Sequence, residues 1–181
     1  MSIISGWGIK LIYEPREDSF LLQKYAREYA NGKVLDMGSG SGILAEEALK
    51  KTKEVSAVDI DEKAVNELRK KGINAIKSDL FENVKGKFDL IIFNPPYLPE
   101  ERIEDKAIYG GKKGYGIIER FFKDAKKFLN KNGKILIIFS SLTDKKKVDQ
   151  IIKNNGFEFK CLEEKKLFFE SLYVYLVIFS L

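Results

Sequence analysis

Two short stretches carry residue types that could do chemistry. In Asn94-Pro95-Pro96-Tyr97 an apolar run ends in two consecutive prolines, which cannot continue a central strand and which stiffen the turn. The Asn94 side-chain oxygen and the Pro95 backbone oxygen can then accept the two N–H bonds of a planar nitrogen, while Tyr97 stacks on or walls its flat group. Such a nitrogen, in an amide or an exocyclic base amine, is a poor nucleophile because its lone pair is delocalised. Two converging acceptors align it and disfavour that delocalisation. Once alkylated, the nitrogen is acidic enough to lose its proton to water or a nearby carbonyl, which suits a chain with no His. The plainer alternative is a rigid strand-end turn with Tyr97 in the core.

The second stretch, Asp36-Met37-Gly38-Ser39-Gly40-Ser41-Gly42, leaves a predicted strand and enters a helix. Glycines here permit tight turning and close approach of backbone to ligand, and a helix start offers unpaired N–H groups. Dinucleotide sites place Gly-x-Gly-x-x-Gly over a pyrophosphate. Here the spacing is Gly-x-Gly-x-Gly, and Asp36 would repel a pyrophosphate but suits a ligand with an ammonium group. Asp59 ends the next strand, where a carboxylate can accept both hydroxyls of a ribose. Asp79, after the third strand, can meet an adenine amino group. Singly, these are an ordinary turn and helix caps. In order, at the ends of three consecutive strands, they describe a nucleoside-ligand site.

The elements that must position them alternate in type. Periodicity predicts helices over 19–30, 43–51, 117–129 and 144–155, and a further one, capped by Asp61, that carries Val65 and Leu68 and stops at Gly72. Ser19 or Asp18 is the expected cap of the first. Strands are expected over 33–37, 55–59, 75–78, 88–93 and 134–139, with two more around 157–162 and 172–179. The last two are joined by 163–170 without a helix and should pair antiparallel. This is an α/β pattern: a doubly wound, seven-stranded, mostly parallel sheet with an antiparallel C-terminal strand. Residues 100–116, after Pro99, form the one long irregular segment.

At 181 residues, 44% hydrophobic and 33% charged, the chain suits a single domain over 1–181. One Cys allows no internal disulfide, and the absence of His excludes a His relay or a His-ligated metal; no metal site is expected. Apolar runs are too short to cross a membrane, and no signal-peptide pattern opens the chain, so a cytoplasmic protein is expected. Residues 112–134 hold eight basic and two acidic side chains. That stretch could steer an anionic partner such as RNA, or be a solvated helix face. Only five of the 32 basic residues are Arg, weak support for phosphate recognition.

With these motifs the sequence resembles the seven-stranded S-adenosylmethionine-dependent methyltransferases. The resemblance implies that Asp36 lies beside the methionine moiety and that Asp59 binds ribose, with Gly38, Gly40, Ile60, Asp79, Leu80 and Asn94 also at the cofactor. Tyr13-Glu14-Pro15-Arg16-Glu17-Asp18-Ser19-Phe20-Leu21-Leu22 further resembles the N-terminal signature of archaeal and eukaryotic HemK-type enzymes, which methylate the glutamine of the Gly-Gly-Gln loop in class 1 release factors. It implies that Tyr13, Pro15 and Ser19 meet the cofactor, Ser19 standing where Thr is more usual. Asp36 stands for the Glu of some relatives. Tyr109–Gly114 is similar to a Gly-Gly-x-x-Gly segment that borders the family's substrate cleft. By this resemblance Asn94, Pro95 and Tyr97 are catalytic, and with Pro96 they hold the substrate.

The same resemblance implies a release factor as substrate and a small zinc-binding activator protein as heterodimer partner. Phe81, Phe168 and Phe169 could form an exposed apolar patch for it, with ordinary core the preferred reading. Adenine-N6 methylation of RNA or DNA shares the planar-nitrogen chemistry, although so short a chain leaves little room for a base-flipping recognition domain. Protein lysine methylation is a third enzymatic reading, and a non-enzymatic scaffold a fourth.

Overall fold

The computed structural model describes residues 15–96 and 114–179. Seven strands form one sheet: β1 (Val34–Met37), β2 (Val55–Asp59), β3 (Asn74–Lys77), β4 (Phe88–Phe93), β5 (Leu129–Ser140), β6 (Phe157–Lys166) and β7 (Ser171–Phe179), ordered β3-β2-β1-β4-β5-β7-β6. β1 to β5 pair in parallel, and β7 runs antiparallel to both β5 and β6. The central strands β1 and β4 are buried along nearly their whole length because both faces are covered. On one face lie α1 (Glu17–Tyr29), α2 (Ile43–Leu49) and α3 (Glu62–Lys70), through Leu22, Ala45 and Leu68. On the other lie α4 (Gly116–Ala125) and α5 (Lys145–Asn154), through Phe121, Phe122 and Ile152. The expected doubly wound sheet is therefore present. No described helix is long and apolar enough to cross a membrane.

Local signals set most boundaries. Asp61 accepts a hydrogen bond from Lys63 N–H at 3.0 Å and caps α3; Asp144 does the same for α5 with Lys147 N–H at 3.2 Å. Several boundaries differ from expectation. α1 begins two residues early, with Arg16 at its N-cap and neither Asp18 nor Ser19 capping it; both side chains are buried and turned to another partner. β3 sits one residue earlier than expected. α4 gives way to a 3-10 turn at Lys126–Phe128, and β5 begins at Leu129, inside the expected helix. There the pairing of Leu129 with Phe88 prevails over helical periodicity. It depends on Gly133, whose Cβ, were there one, would lie 2.8 Å from the Phe88 carbonyl oxygen. β6 runs on to Lys166, since the charged residues 163–166 pair with β7 although their polarity reads as a loop.

Aromatic rings fill the α4–α5 face. Phe121 stacks on Phe93 at 4.4 Å between centroids and meets Phe81 at 5.2 Å and Phe122 at 5.2 Å. Phe81 is core, as the preferred reading held, and stacks on Phe128. Phe168 and Phe169 are not: they are 91% and 85% exposed in the β6–β7 turn, each resting mainly on the other's ring. Phe121→Ala removes the centre of the cluster and is expected to cost about 3–5 kcal/mol in urea unfolding. Phe168→Ser should change stability by no more than about 0.5 kcal/mol.

Candidate functional site

β1 and β4 are parallel neighbours in register, Met37 opposite Phe93, so the glycine turn and Asn94 leave the same edge of the sheet side by side. Gly38, Gly40 and Gly42 have φ of 67°, 50° and 86°, a region that disfavours a Cβ. At Gly42 a Cβ would also meet Leu68 Cδ2 at 2.4 Å. Ser39 ties the turn down. Its Oγ lies 2.8 Å from the Asp36 carbonyl oxygen and accepts from Val58 N–H at 3.0 Å, and its own N–H donates to the Val58 carbonyl at 2.9 Å. Asp59 holds the other side, accepting from Gly40 N–H at 2.8 Å on one oxygen and from Asp61 N–H at 2.8 Å on the other. Each carboxylate oxygen keeps further acceptor capacity toward the cavity.

That cavity measures about 500 Å³, within the roughly 300–1,000 Å³ of small-molecule sites. It runs from Asp59, Ile60 and Leu80 past Gly38 to Asn94 and Pro95. Ile60 is an exposed apolar side chain on its wall. Leu80 has φ 48°, in the left-handed region that non-glycine residues rarely adopt, a strained conformation of the kind that clusters at ligand sites. Asp79 also lines the cavity, but Arg120 Nη2 pairs with it at 2.9 Å.

At the far end Asn94 is held by α1. Its Nδ2 lies 3.3 Å from Asp18 Oδ2 and 3.3 Å from Ser19 Oγ. Ser19 Oγ in turn donates to Asp18 Oδ1 at 3.3 Å, and Ser19 N–H donates to the same oxygen at 2.6 Å. Asp18 and Ser19 are 4% and 3% exposed. Asn94 Oδ1 is buried with no hydrogen-bond partner among the described residues. α1 packs on α2 and β5 through Leu21, Leu22 and Ala26, and it reaches β6 through ion pairs of Lys165 with Glu17 and of Lys24 with Glu163, which also accepts from Tyr25 Oη at 2.6 Å.

The structure thus gathers Ser19, Gly38, Gly40, Asp59, Ile60, Asp79, Leu80, Asn94, Pro95 and Pro96 around one cavity. Pro15 leads into α1 and is not among the lining residues. Tyr13, Tyr97 and most of the 109–114 segment lie outside the described residues. Asp36 is fully buried behind the turn: Oδ2 accepts from Ala45 N–H at 3.0 Å, and Oδ1 has no partner among the described residues. Burial, assisted by the negative charge of Asp59, lifts its carboxyl to about 7.

Sequence reasoning missed Asp18, read as a cap, and Arg120, read as one more charge of the basic stretch. No local pattern marks either; only the fold brings them to the cavity. The basic stretch is not a uniform face. Arg120 and Lys127 pair with Asp79 and Asp124, and Lys126 and Lys134 lie over the rings of Phe179 and Tyr29.

Residues 17–168 match the family described as the methyltransferase small domain. The chain belongs to that family. A Methanocaldococcus jannaschii protein named as a putative protein N5-glutamine methyltransferase is 40% identical over 95% of this chain and 96% of its own length. Mouse methyltransferase HEMK2 is 28% identical over 81% of this chain and 80% of its own. The release factor glutamine methyltransferase of Agrobacterium fabrum is 28% identical over 67% of this chain, and the match spans only 52% of that relative. Among solved structures, that of the E. cuniculi Mtq2–Trm112 complex, described as responsible for methylation of the translation termination factor eRF1, superposes with a TM-score of 0.78. It is 26% identical and covers 95% of this chain and 100% of the matched one.

Asp36 makes this methyltransferase-fold domain pH-sensitive. With its folded pKa raised above the ordinary carboxylate value, the native state binds more protons than the unfolded one between about pH 4 and 7. Its contribution to stability is therefore fully present below about pH 4 and is lost as pH rises toward 7. Asp36→Asn, which mimics the neutral form, should gain stability relative to wild type across that window. Denaturant unfolding at pH 4, 5.5 and 7 checks the trend.

Proposed function

We propose that this chain transfers a methyl group from S-adenosylmethionine to the N5 nitrogen of the glutamine in the Gly-Gly-Gln loop of a peptide chain release factor. The observation that carries this reading is the buried Asn94 Oδ1, which has no partner among the described residues and, beside a cavity of cofactor size, suits an N–H of the acceptor. The cavity's residues fit the cofactor. Asp59 has acceptor capacity left for ribose hydroxyls, Ile60 and Leu80 offer apolar walls for adenine, and the open face of Gly38 and Gly40 leaves room for the methionine portion. Asp79 reaches the adenine amino group only while sharing its carboxylate with Arg120. An ammonium group near Asp36 would favour its charged form and oppose the effect of burial.

Bound there, S-adenosylmethionine supplies an electrophilic methyl group. The chain's part is positioning. Asn94 Oδ1 and the Pro95 carbonyl accept the two N–H bonds of the amide, turning its lone pair along the line of transfer, and Tyr97 walls the flat group. The proton leaves from the methylated nitrogen to water or a carbonyl, so no His is required. We assign residues 1–181 to one cytoplasmic methyltransferase domain. We also assign it a small zinc-binding activator as heterodimer partner, a reading supported by the likeness to the Mtq2–Trm112 structure.

Tritiated methyl from S-adenosylmethionine should enter a release factor with the Gly-Gly-Gln loop, and not the same factor with that Gln replaced, with the activator supplied. Equal labelling of both, or of neither, overturns the acceptor assignment. Labelling of RNA or DNA that is lost in Asn94→Ala would favour the adenine reading instead. Asp59→Ala should weaken cofactor binding by at least about tenfold, each charge-assisted hydrogen bond being worth about 1.5–3 kcal/mol. Asn94→Ala should lower kcat with little change in cofactor affinity. Calorimetry with S-adenosylhomocysteine and steady-state kinetics separate the two effects.

A further inference from the structure

We propose that Asp18 is a positioning residue that sets which end of the Asn94 amide faces the acceptor. The inference rests on the reading of Asn94 as a hydrogen-bond acceptor for the substrate nitrogen and adds how that acceptor is oriented. An Asn side chain is nearly symmetric in shape, and only its hydrogen-bond partners decide whether oxygen or nitrogen is presented. Here the partners are complete on one side. The two Nδ2 hydrogens of Asn94 go to Asp18 Oδ2 and Ser19 Oγ, and the Ser19 hydroxyl and backbone N–H go to Asp18 Oδ1. A carboxylate cannot donate, so it tolerates only the nitrogen end of Asn94, and Oδ1 is left facing away without a partner among the described residues. The reverse orientation would set oxygen against oxygen and present two N–H donors to the acceptor nitrogen's own hydrogens. An acid in the first turn of a helix is ordinarily explained by the helix dipole. That account needs neither 4% exposure nor contact with a side chain 76 residues away.

The chemistry makes an unusual prediction about Asp18→Asn. The fixed backbone N–H of Ser19 holds the new amide's oxygen, so its NH2 faces Asn94 and inverts that amide, with Asn94 Oδ1 now accepting from residue 18 and from Ser19 Oγ. Asn94 Oδ1 keeps partners in the inverted arrangement, while its NH2 takes the partnerless place that Oδ1 held, so the variant folds and yet presents the wrong group. Asp18→Ala leaves the amide unconstrained, and a fraction of molecules keep the productive orientation. The expected order of kcat is therefore wild type, then Asp18→Ala, then Asp18→Asn, with the last reduced at least about a hundredfold. A packing role gives the opposite order, since Asn is the closer shape. The double variant Asp18→Asn with Asn94→Asp offers an acceptor oxygen again and should recover part of kcat relative to Asp18→Asn.

The experiment uses the full chain with its activator and a Gly-Gly-Gln release factor, measuring kcat, KM and S-adenosylhomocysteine affinity, the last expected to stay within threefold. In parallel, 15N NMR follows hydrogen exchange of the Asn94 side-chain amide, slow in wild type and accelerated in Asp18→Asn. Turnover of Asp18→Asn equal to or above that of Asp18→Ala, or slow amide exchange persisting in Asp18→Asn, overturns the inference alone. If wild type labels no release factor, the acceptor assignment fails, while the NMR comparison still decides the role of Asp18. If Asn94→Ala keeps full turnover, Asn94 is no acceptor, and both readings fall.

Discussion

The site depends on one pairing, the parallel alignment of β1 with β4 that sets Met37 beside Phe93. Strands running the same way discharge their loops at the same edge, so the glycine turn and the Asn94 loop become neighbours although more than 50 residues separate them. Gly38 keeps the interval open. A Cβ there would find Phe93 Cε2 at 3.9 Å and the Asn94 carbonyl oxygen at 4.0 Å, ordinary contacts, so its need for glycine lies in the positive φ that bends the chain away from the cavity. The glycine turn and the Asn94 loop then lie in near-contact and line one cavity together.

Polar groups buried against this edge carry a cost. A donor or acceptor left unsatisfied away from water loses roughly 1–3 kcal/mol, and both Asp36 Oδ1 and Asn94 Oδ1 are in that position among the described residues. Leu80 adds backbone strain on the same rim. The aromatic cluster beneath, centred on Phe121 and the wholly buried Phe93, provides apolar burial far larger than these losses. Stability is concentrated under the sheet and spent above its carboxyl edge.

Much of this was legible before any coordinates. Sheet class, the limits of β2 and β4, and the residues after β1, β2 and β4 all follow from local signals: apolar runs of strand length, glycines that need positive φ, and a double proline that ends a strand. What stayed hidden was set by distant contacts. Leu129 looks helical until Phe88 claims it as a strand partner. Residues 163–166 look like a loop because an edge strand can be charged on both sides. Asp18 looks like a cap, since nothing within its own helix reports that Asn94 lies against it. Arg120 was one cation among eight until α4 carried it to Asp79.

The place of β6 also fixes the order in which the molecule can be completed. Among the described strands β6 is an edge strand paired only with β7, and β7 follows β6 in sequence while lying inside the sheet, between β5 and β6. During synthesis β6 has nothing to bind until β7 follows it, so the two must zip together as a hairpin and dock on β5 as a unit. That hairpin brings Glu163 and Lys165 to their ion pairs with α1, the helix that carries Asp18 and Ser19 to Asn94. The cavity lining contributed by β1, β2 and β4 is thus independent of β6, whereas the contacts of Glu163 and Lys165 with α1 exist only once β6 has paired with β7.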